Sequence, residues 1–281
     1  MKKYVLNEQI ISKFRKYLVL QEKSDATTEK YCRDVEAFAS FAGSSFISKD
    51  MALEYKNKLK NDGYAARSIN SMIASINSLF VFLGCPELKL NAIKIQKQIF
   101  CPEEKELSKA EYEKLVLTAE KHRNIRLSLI LQTICSTGMR ISELKFITVE
   151  AVKRGEAIVS CKGKTRTVFI VRDLRKKLLR YSSEQGIKSG SIFVTRTGKE
   201  IGRTNIWREM KNLCGEANVD PRKVFPHNLR HLFARIFYKI EKDIAKLADI
   251  LGHSNINTTR IYIISTGIEH RRRMENMRLV L

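Results

Sequence analysis

At 281 residues with 43% hydrophobic side chains, the chain is long enough for one large domain or two ordinary ones, each with a real core. Its 52 Lys and Arg against 30 Asp and Glu leave a net charge of +22. That excess points to a polyanionic partner, nucleic acid first and an anionic membrane surface second, rather than to generic solubility, which needs far less. The charge is uneven: residues 1–104 carry 16 basic and 12 acidic side chains (+4), and residues 105–281 carry 36 and 18 (+18). The cysteines (Cys32, Cys85, Cys101, Cys135, Cys161, Cys214) form no CxxC pair and no His-paired metal spacing, so they read as reduced thiols. The start, MKKYVLNEQIISKF, has no apolar core of a signal peptide, and no run approaches a membrane span. The chain reads as soluble and intracellular.

Residues 6 to about 96 read as helices. Ile10, Ile11, Phe14, Tyr17 and Leu18 repeat at helical spacing. Ser24-Asp25-Ala26-Thr27-Thr28 supplies N-cap residues for a second helix, with Tyr31, Val35, Phe38 and Phe41 on one face. A third helix is expected from Lys49 to Lys60, ending near Asp62-Gly63. A fourth is expected from Ala65 to about Leu83, with Ile69, Met72, Ile73, Ile76, Leu79 and Phe80 apolar. Four or five helices with short connections make a bundle.

The stretch KIQKQIFCPEEKE (94–106) combines charge and a proline without a clean period, and marks a boundary. The domains are accordingly 1–97, a linker 98–106, and 107–281. Leu107-Ser108 opens a helix, with Glu111 at capping-box spacing. A buried helix over Arg126–Cys135 is broken by Ser136-Thr137-Gly138, and another helix should start at Arg140 or Ile141. Ala157–Ser160 and Thr167–Val171 are β-prone runs joined by Lys162-Gly163-Lys164-Thr165, a hairpin, with a further short strand at Ser191–Val194. Helices return from Ile206 onward. The fold class is mainly α with a small β-hairpin.

The chemistry-bearing residues lie in the second part. In PHNLRH, residues three and four apart share a helix face, so His227, Arg230 and His231 project together. A guanidinium holds two phosphate oxygens, and an imidazole moves a proton near neutral pH. Arg140 follows the Thr137-Gly138 break, with Glu143 placed to brace it. Lys162 sits at the hairpin tip, with Lys164 as its competitor. Leu251-Gly252-His253 precedes Tyr262 in TTRIYI. A phenol ionises near pH 10, so it is a poor nucleophile until cations stabilise its anion. Each residue alone has a structural explanation: a helix cap, a surface ion pair, a solvated turn lysine, a core tyrosine. Asp243 to Tyr262 also reads as a helix-turn-helix with Gly252 at the turn, a DNA reader with no chemistry.

Taken in order, TGMRISEL, CKGKTR, HNLRH and LGHSNINTTRIY resemble the tyrosine recombinase (phage integrase) family, in its simple Xer-like form. SDATTEKYCRDVEAFASF resembles that family's core-binding domain. The resemblance implies a helical core-binding domain over 1–97 that grips DNA and an α+β catalytic domain over 107–281. It implies that Arg140 and Arg230 grip the scissile phosphate and that His227 is general base or acid. It further implies that Lys162 protonates the 5′-hydroxyl, His253 supports the transition state, and Tyr262 attacks to form a 3′-phosphotyrosyl link. His231 is implied to stand behind these. The CKGKTR turn is one residue shorter than the usual glycine-lysine-glycine pattern, which leaves the choice of Lys162 over Lys164 open.

No cofactor and no metal are implied, because arginines supply the charge stabilisation. The implied partner is double-stranded DNA with an inverted-repeat core site. The implied assembly is a homotetramer on DNA coupled through the tail, residues 263–281, from a monomeric free chain. The implied setting is DNA integration or recombination, including that of mobile elements, in the bacterial cytoplasm at the nucleoid. The core-binding-like helices start the chain, which disfavours the larger architecture with an arm-site-binding domain. Two rivals stand beside this: a type IB topoisomerase-like relaxing enzyme, and a catalytically silent helix-turn-helix protein.

Overall fold

Asn7 accepts from the backbone N–H of Ile10 and starts helix α1 (Glu8–Leu20). Helices α2 (Asp25–Ala42), α3 (Lys49–Asn61) and α4 (Ala66–Phe82) follow, then a 3-10 turn at Pro86–Leu88. This computed structural model describes residues 4–95, 106–161, 164–262 and 274–277, with the backbone alone at residues 161 and 164. The chain falls into two units, Met1–Lys97 and Gln98–Leu281. In the first, the helical repeats read from the sequence face inward: Phe14, Leu18, Val35, Phe38, Ile76, Leu79 and Phe80 are fully buried. Ser48 caps α3 through Met51 N–H. Ser24 stands at the N-cap of α2 but makes no capping bond; its hydroxyl meets that of Thr27 at 2.9 Å instead. Asp34 is buried beside Ser75 (2.7 Å) and Lys30 (2.5 Å), so the carboxylate is paired where α2 meets α4.

The second unit begins with α5 (Lys109–Lys121), where Ser108 and Glu111 form the expected capping box. Helix α6 (Ile125–Thr137) buries Leu127, Leu129, Ile130, Leu131 and Ile134 and ends at Gly138, whose φ of +65° favours glycine. The segment after Arg140 differs from expectation. It is a six-residue 3-10 turn, Ile141–Phe146, and not an α-helix. Glu143 is drawn back onto the Arg140 backbone N–H, which tightens the first turn, and Thr148 already caps the next helix, α7 (Val149–Arg154).

Strands β1 (Glu156–Cys161) and β2 (Lys164–Phe169) pair antiparallel, with Ile158 opposite Thr167 and Val159 opposite Arg166. Helix α8 (Arg172–Glu184) follows and buries Leu174, Leu178 and Tyr181. The strand expected at Ser191–Val194 is absent among the described residues. Ser191 and Val194 make single bridges to different partners, Thr148 and Glu200, so no neighbouring strand extends a ladder. Helices α9 (Arg203–Leu213), α10 (Pro226–Glu241), α11 (Ile244–Leu251) and α12 (Ile256–Arg260) complete the unit. Pro226 at the first turn of α10 fits a position whose N–H needs no helical partner. Among the described residues no helix is long and apolar enough to cross a membrane.

Candidate active site

Three places in the second unit converge: the α6 terminus, strand β2, and the run from α10 to Tyr262. At the first, Glu143 is 1% exposed and accepts from the Arg140 backbone N–H (2.7 Å) and from Arg140 Nη1 (3.0 Å). It also takes both ends of a second guanidinium, Arg166 from β2, at 3.0 and 2.7 Å. Burial alone would raise its carboxyl. Hydrogen bonds from Arg166 and the Arg140 backbone, with the Arg166 charge, outweigh that and hold it down at about 2. Glu143 is therefore ionised and carries two arginines.

Arg230 lies one turn into α10 and is 1% exposed. Its Nη1 donates to Gly138 O (2.7 Å) and its Nη2 to Leu251 O (2.6 Å), the carbonyls beside the ends of α6 and α11. Nη2 also lies 3.0 Å from His253 Nε2. A guanidinium only donates, so Nε2 accepts; Nδ1 then carries the proton toward Thr259 Oγ1, 2.9 Å away. Arg230 Nε is buried with no hydrogen-bond partner among the described residues. Burial, then the Arg140 charge, lowers the Arg230 pKa to about 10, which leaves it charged at neutral pH.

Tyr262 is 6% exposed and packs on Leu247 and Leu251. The Arg230 guanidinium carbon is 5.9 Å from its ring centroid. Three imidazoles surround the same ring: His231 stacked at 4.2 Å, and His227 and His253 at 5.2 Å each. His227 and His231 meet edge to face at 4.9 Å. Burial holds His231 and His253 down at about 4, with cationic neighbours adding to it. His227 is lowered by partial desolvation, then by Arg230 and Arg140. The three rings are thus neutral near pH 7. The Arg140 charge acts on Arg230, His227 and His253 alike, which puts it within electrostatic reach of all three.

Of the residues singled out from the sequence, Arg230, His227, His253 and Tyr262 form one cluster, with His231 among them, and Arg140 stands beside it through Glu143. Lys162 lies outside the described residues, as do residues 263–273 and 278–281 of the tail, and of Lys164 only the backbone is described. Two residues are missed by sequence reasoning. Arg166 and Thr259 hold site residues in place, and their signal is position: Arg166 shares the inward face of β2 with the buried Val168, and Thr259 sits three residues before Tyr262. Two clefts flank His227. One, of about 380 Å³, is lined by Ile141, Arg203, Thr204, Trp207, Phe225 and Pro226. The other, of about 120 Å³, is lined by Glu106, Leu107, Asn228, His231 and Arg235 among others.

Residues 105–267 match the phage integrase family, and residues 11–84 match the phage integrase N-terminal SAM-like domain. The chain is 30% identical over 289 residues to the tyrosine recombinase XerA of Pyrococcus furiosus, across 100% of this chain and 98% of that protein. Its fold is similar to the crystal structure of XerA recombinase, with a TM-score of 0.55 at 24% identity, over 97% of this chain and 99% of that one. It is also similar to a lambda integrase(75-356) dimer bound to a COC' core site, with a TM-score of 0.75 at 15% identity, over 95% and 97%.

Proposed function

The chain belongs to the phage integrase family, and on that premise we propose that it is a site-specific tyrosine recombinase whose nucleophile is Tyr262. The observation that carries the assignment is the surroundings of one phenol: a buried guanidinium at 5.9 Å and three imidazoles packed on its ring. In the proposed step the Tyr262 oxygen attacks a backbone phosphorus and its proton passes to His227. The P–O5′ bond breaks, and the departing oxygen takes a proton from the hairpin lysine, Lys162 ahead of Lys164. The products are a 3′-phosphotyrosyl ester and a free 5′-hydroxyl, so bond energy is kept and a second strand's hydroxyl reverses the step. Arg140 and Arg230 neutralise the charge that grows on the non-bridging oxygens, and His253 supports the transition state by accepting from Arg230 Nη2. Neutral imidazoles and the unpartnered Arg230 Nε support these roles.

The substrate we propose is double-stranded DNA with an inverted-repeat core site, gripped by the domain over 1–97 and cut by the domain over 107–281. A +18 balance over residues 105–281 supports it. So does kinship in fold with proteins described as a lambda integrase dimer on a COC' core site and a lambda integrase tetramer on a Holliday junction. The assembly we propose is a tetramer on DNA joined through the tail, formed from free monomers. We further propose a cytoplasmic, nucleoid-associated setting and a place in mobile-element recombination.

The test is covalent trapping. A duplex selected for binding from a randomised pool, nicked near the cut point, is incubated with the chain, and a protein–DNA adduct is expected. Tyr262→Phe abolishes it. An adduct that persists in Tyr262→Phe refutes the assignment. Relaxation of plasmids lacking the site, without recombinant product, would instead indicate the topoisomerase-like reading.

A further inference from the structure

Arg166 makes three long-range polar contacts within the site, as many as Arg230. Its two terminal nitrogens hold Glu143 bidentately at 3.0 and 2.7 Å, and its Nε donates to Ile250 O at 3.1 Å. Its side chain also fills the space beside Gly252: a Cβ built there would meet Arg166 Cδ at 2.9 Å and Nη1 at 3.1 Å. A single guanidinium thus spans the carboxylate that braces Arg140 and the turn that delivers His253. Arg166 shares Glu143 Oε1 with Arg140, each at 3.0 Å, so the angle of that carboxylate, and with it the Arg140 fork, depends on both. Yet Arg166 itself is 13% exposed, behind the groups that would face a phosphate.

We infer that Arg166 is a positioning residue for strand cleavage: it aims the Arg140 guanidinium through Glu143 and fixes the Leu251–Gly252–His253 turn. The inference rests on the recombinase reading of the site. It concerns geometry, not charge. A lysine would keep the positive charge, but one ammonium cannot span both carboxylate oxygens and the Ile250 carbonyl. Misplacing a phosphate-gripping group by about 1 Å is enough to slow a reaction on the order of a hundredfold.

The test uses the full chain with Arg166→Lys and Arg166→Gln, after thermal melting has confirmed folding. Adduct formation on the nicked duplex is followed in single turnover, alongside DNA affinity. Arg166→Lys is expected to slow the adduct by about tenfold or more, with affinity within about twofold of the parent. The same comparison is then made with a methylphosphonate at the cleaved linkage, where one non-bridging oxygen is replaced by methyl and the arginine grip is no longer needed to neutralise charge. There the deficit should shrink to within about threefold, which a general loosening of the fold would not achieve. Parental rates in Arg166→Lys, or an equal deficit on both linkages, overturn the inference. If Arg166→Gln fails to fold, Arg166→Lys alone decides. If the parent chain forms no adduct through Tyr262, the function reading fails first and takes this inference with it, a result distinct from a parent that cleaves and an Arg166 variant that cleaves equally well.

Discussion

Removing the charge of Glu143 should cost the catalytic unit a large part of its stability. The carboxyl is held at about 2 against an ordinary 4.5, it is 1% exposed, and it is bonded to two guanidinium groups. Each tenfold change in proton affinity corresponds to about 1.4 kcal/mol, so the ionised form is worth about 3 kcal/mol at neutral pH. Glu143→Gln keeps the shape but leaves Arg140 and Arg166 facing each other uncompensated, and a broken buried pair costs about 3–5 kcal/mol. For a unit of this size that lowers the melting temperature by roughly 6–20 °C. The sign with pH follows from a depressed acid. The unfolded chain binds the proton more tightly, so the stabilisation is complete above about pH 4.5 and is lost as pH falls through about 2. Urea unfolding of both proteins from pH 7 down to pH 2 should show a wide gap that closes in acid. A gap under about 1 kcal/mol at pH 7, or one unchanged at pH 2, would refute the reasoning, since surface pairs are worth no more than that.

Arg230→Lys should fold, because the ammonium can still reach one of the carbonyls of Gly138 and Leu251, but it loses the fork that holds both along with His253. Its rate of adduct formation should fall about 10²–10³-fold; a loss below tenfold counts against a direct role. His231→Phe should keep the ring stacked on Tyr262 and remove a titrating group held at about 4 by burial. A base with a lowered pKa stabilises the fold above its unfolded value near 6.5 and stops doing so as pH falls through about 4. The parent's urea midpoint should therefore drop across that window more steeply than the variant's, and equal slopes would exclude His231 from the acid response.

The four helices of the first unit were legible because each buries one stripe at helical spacing, as Phe14 with Leu18 and Ile69 with Ile73 and Ile76 do. The break at Gly138, the Ser108–Glu111 box and the hairpin were equally plain, since each is a local feature. Helix α8 carries the same signal in Leu174, Leu178 and Tyr181, masked in composition by the basic residues around them. The strand expected at Ser191–Val194 had the right residue types but no neighbour to pair with, and pairing is a tertiary fact. Within the site, the order of the motifs pointed to Arg140, His227, Arg230, His253 and Tyr262. Periodicity could not reveal that Arg166 crosses from β2 to Glu143, 23 residues away, or to Ile250, 84 residues away. Spacing along a strand tells which face a side chain occupies and nothing about which distant carboxylate waits there.

Gly138 shows what such a design implies for mobility. A side chain there would meet the Phe233 ring at 2.4 Å, so the end of α6 rests directly against α10, while its own carbonyl holds Arg230. An anchor set into a helix–helix seam cannot drift without parting the seam. On the proposed reading, the grip on a phosphate would be as rigid as the interior itself, and whatever motion the reaction demands would come from the groups arriving at that anchor rather than from the anchor.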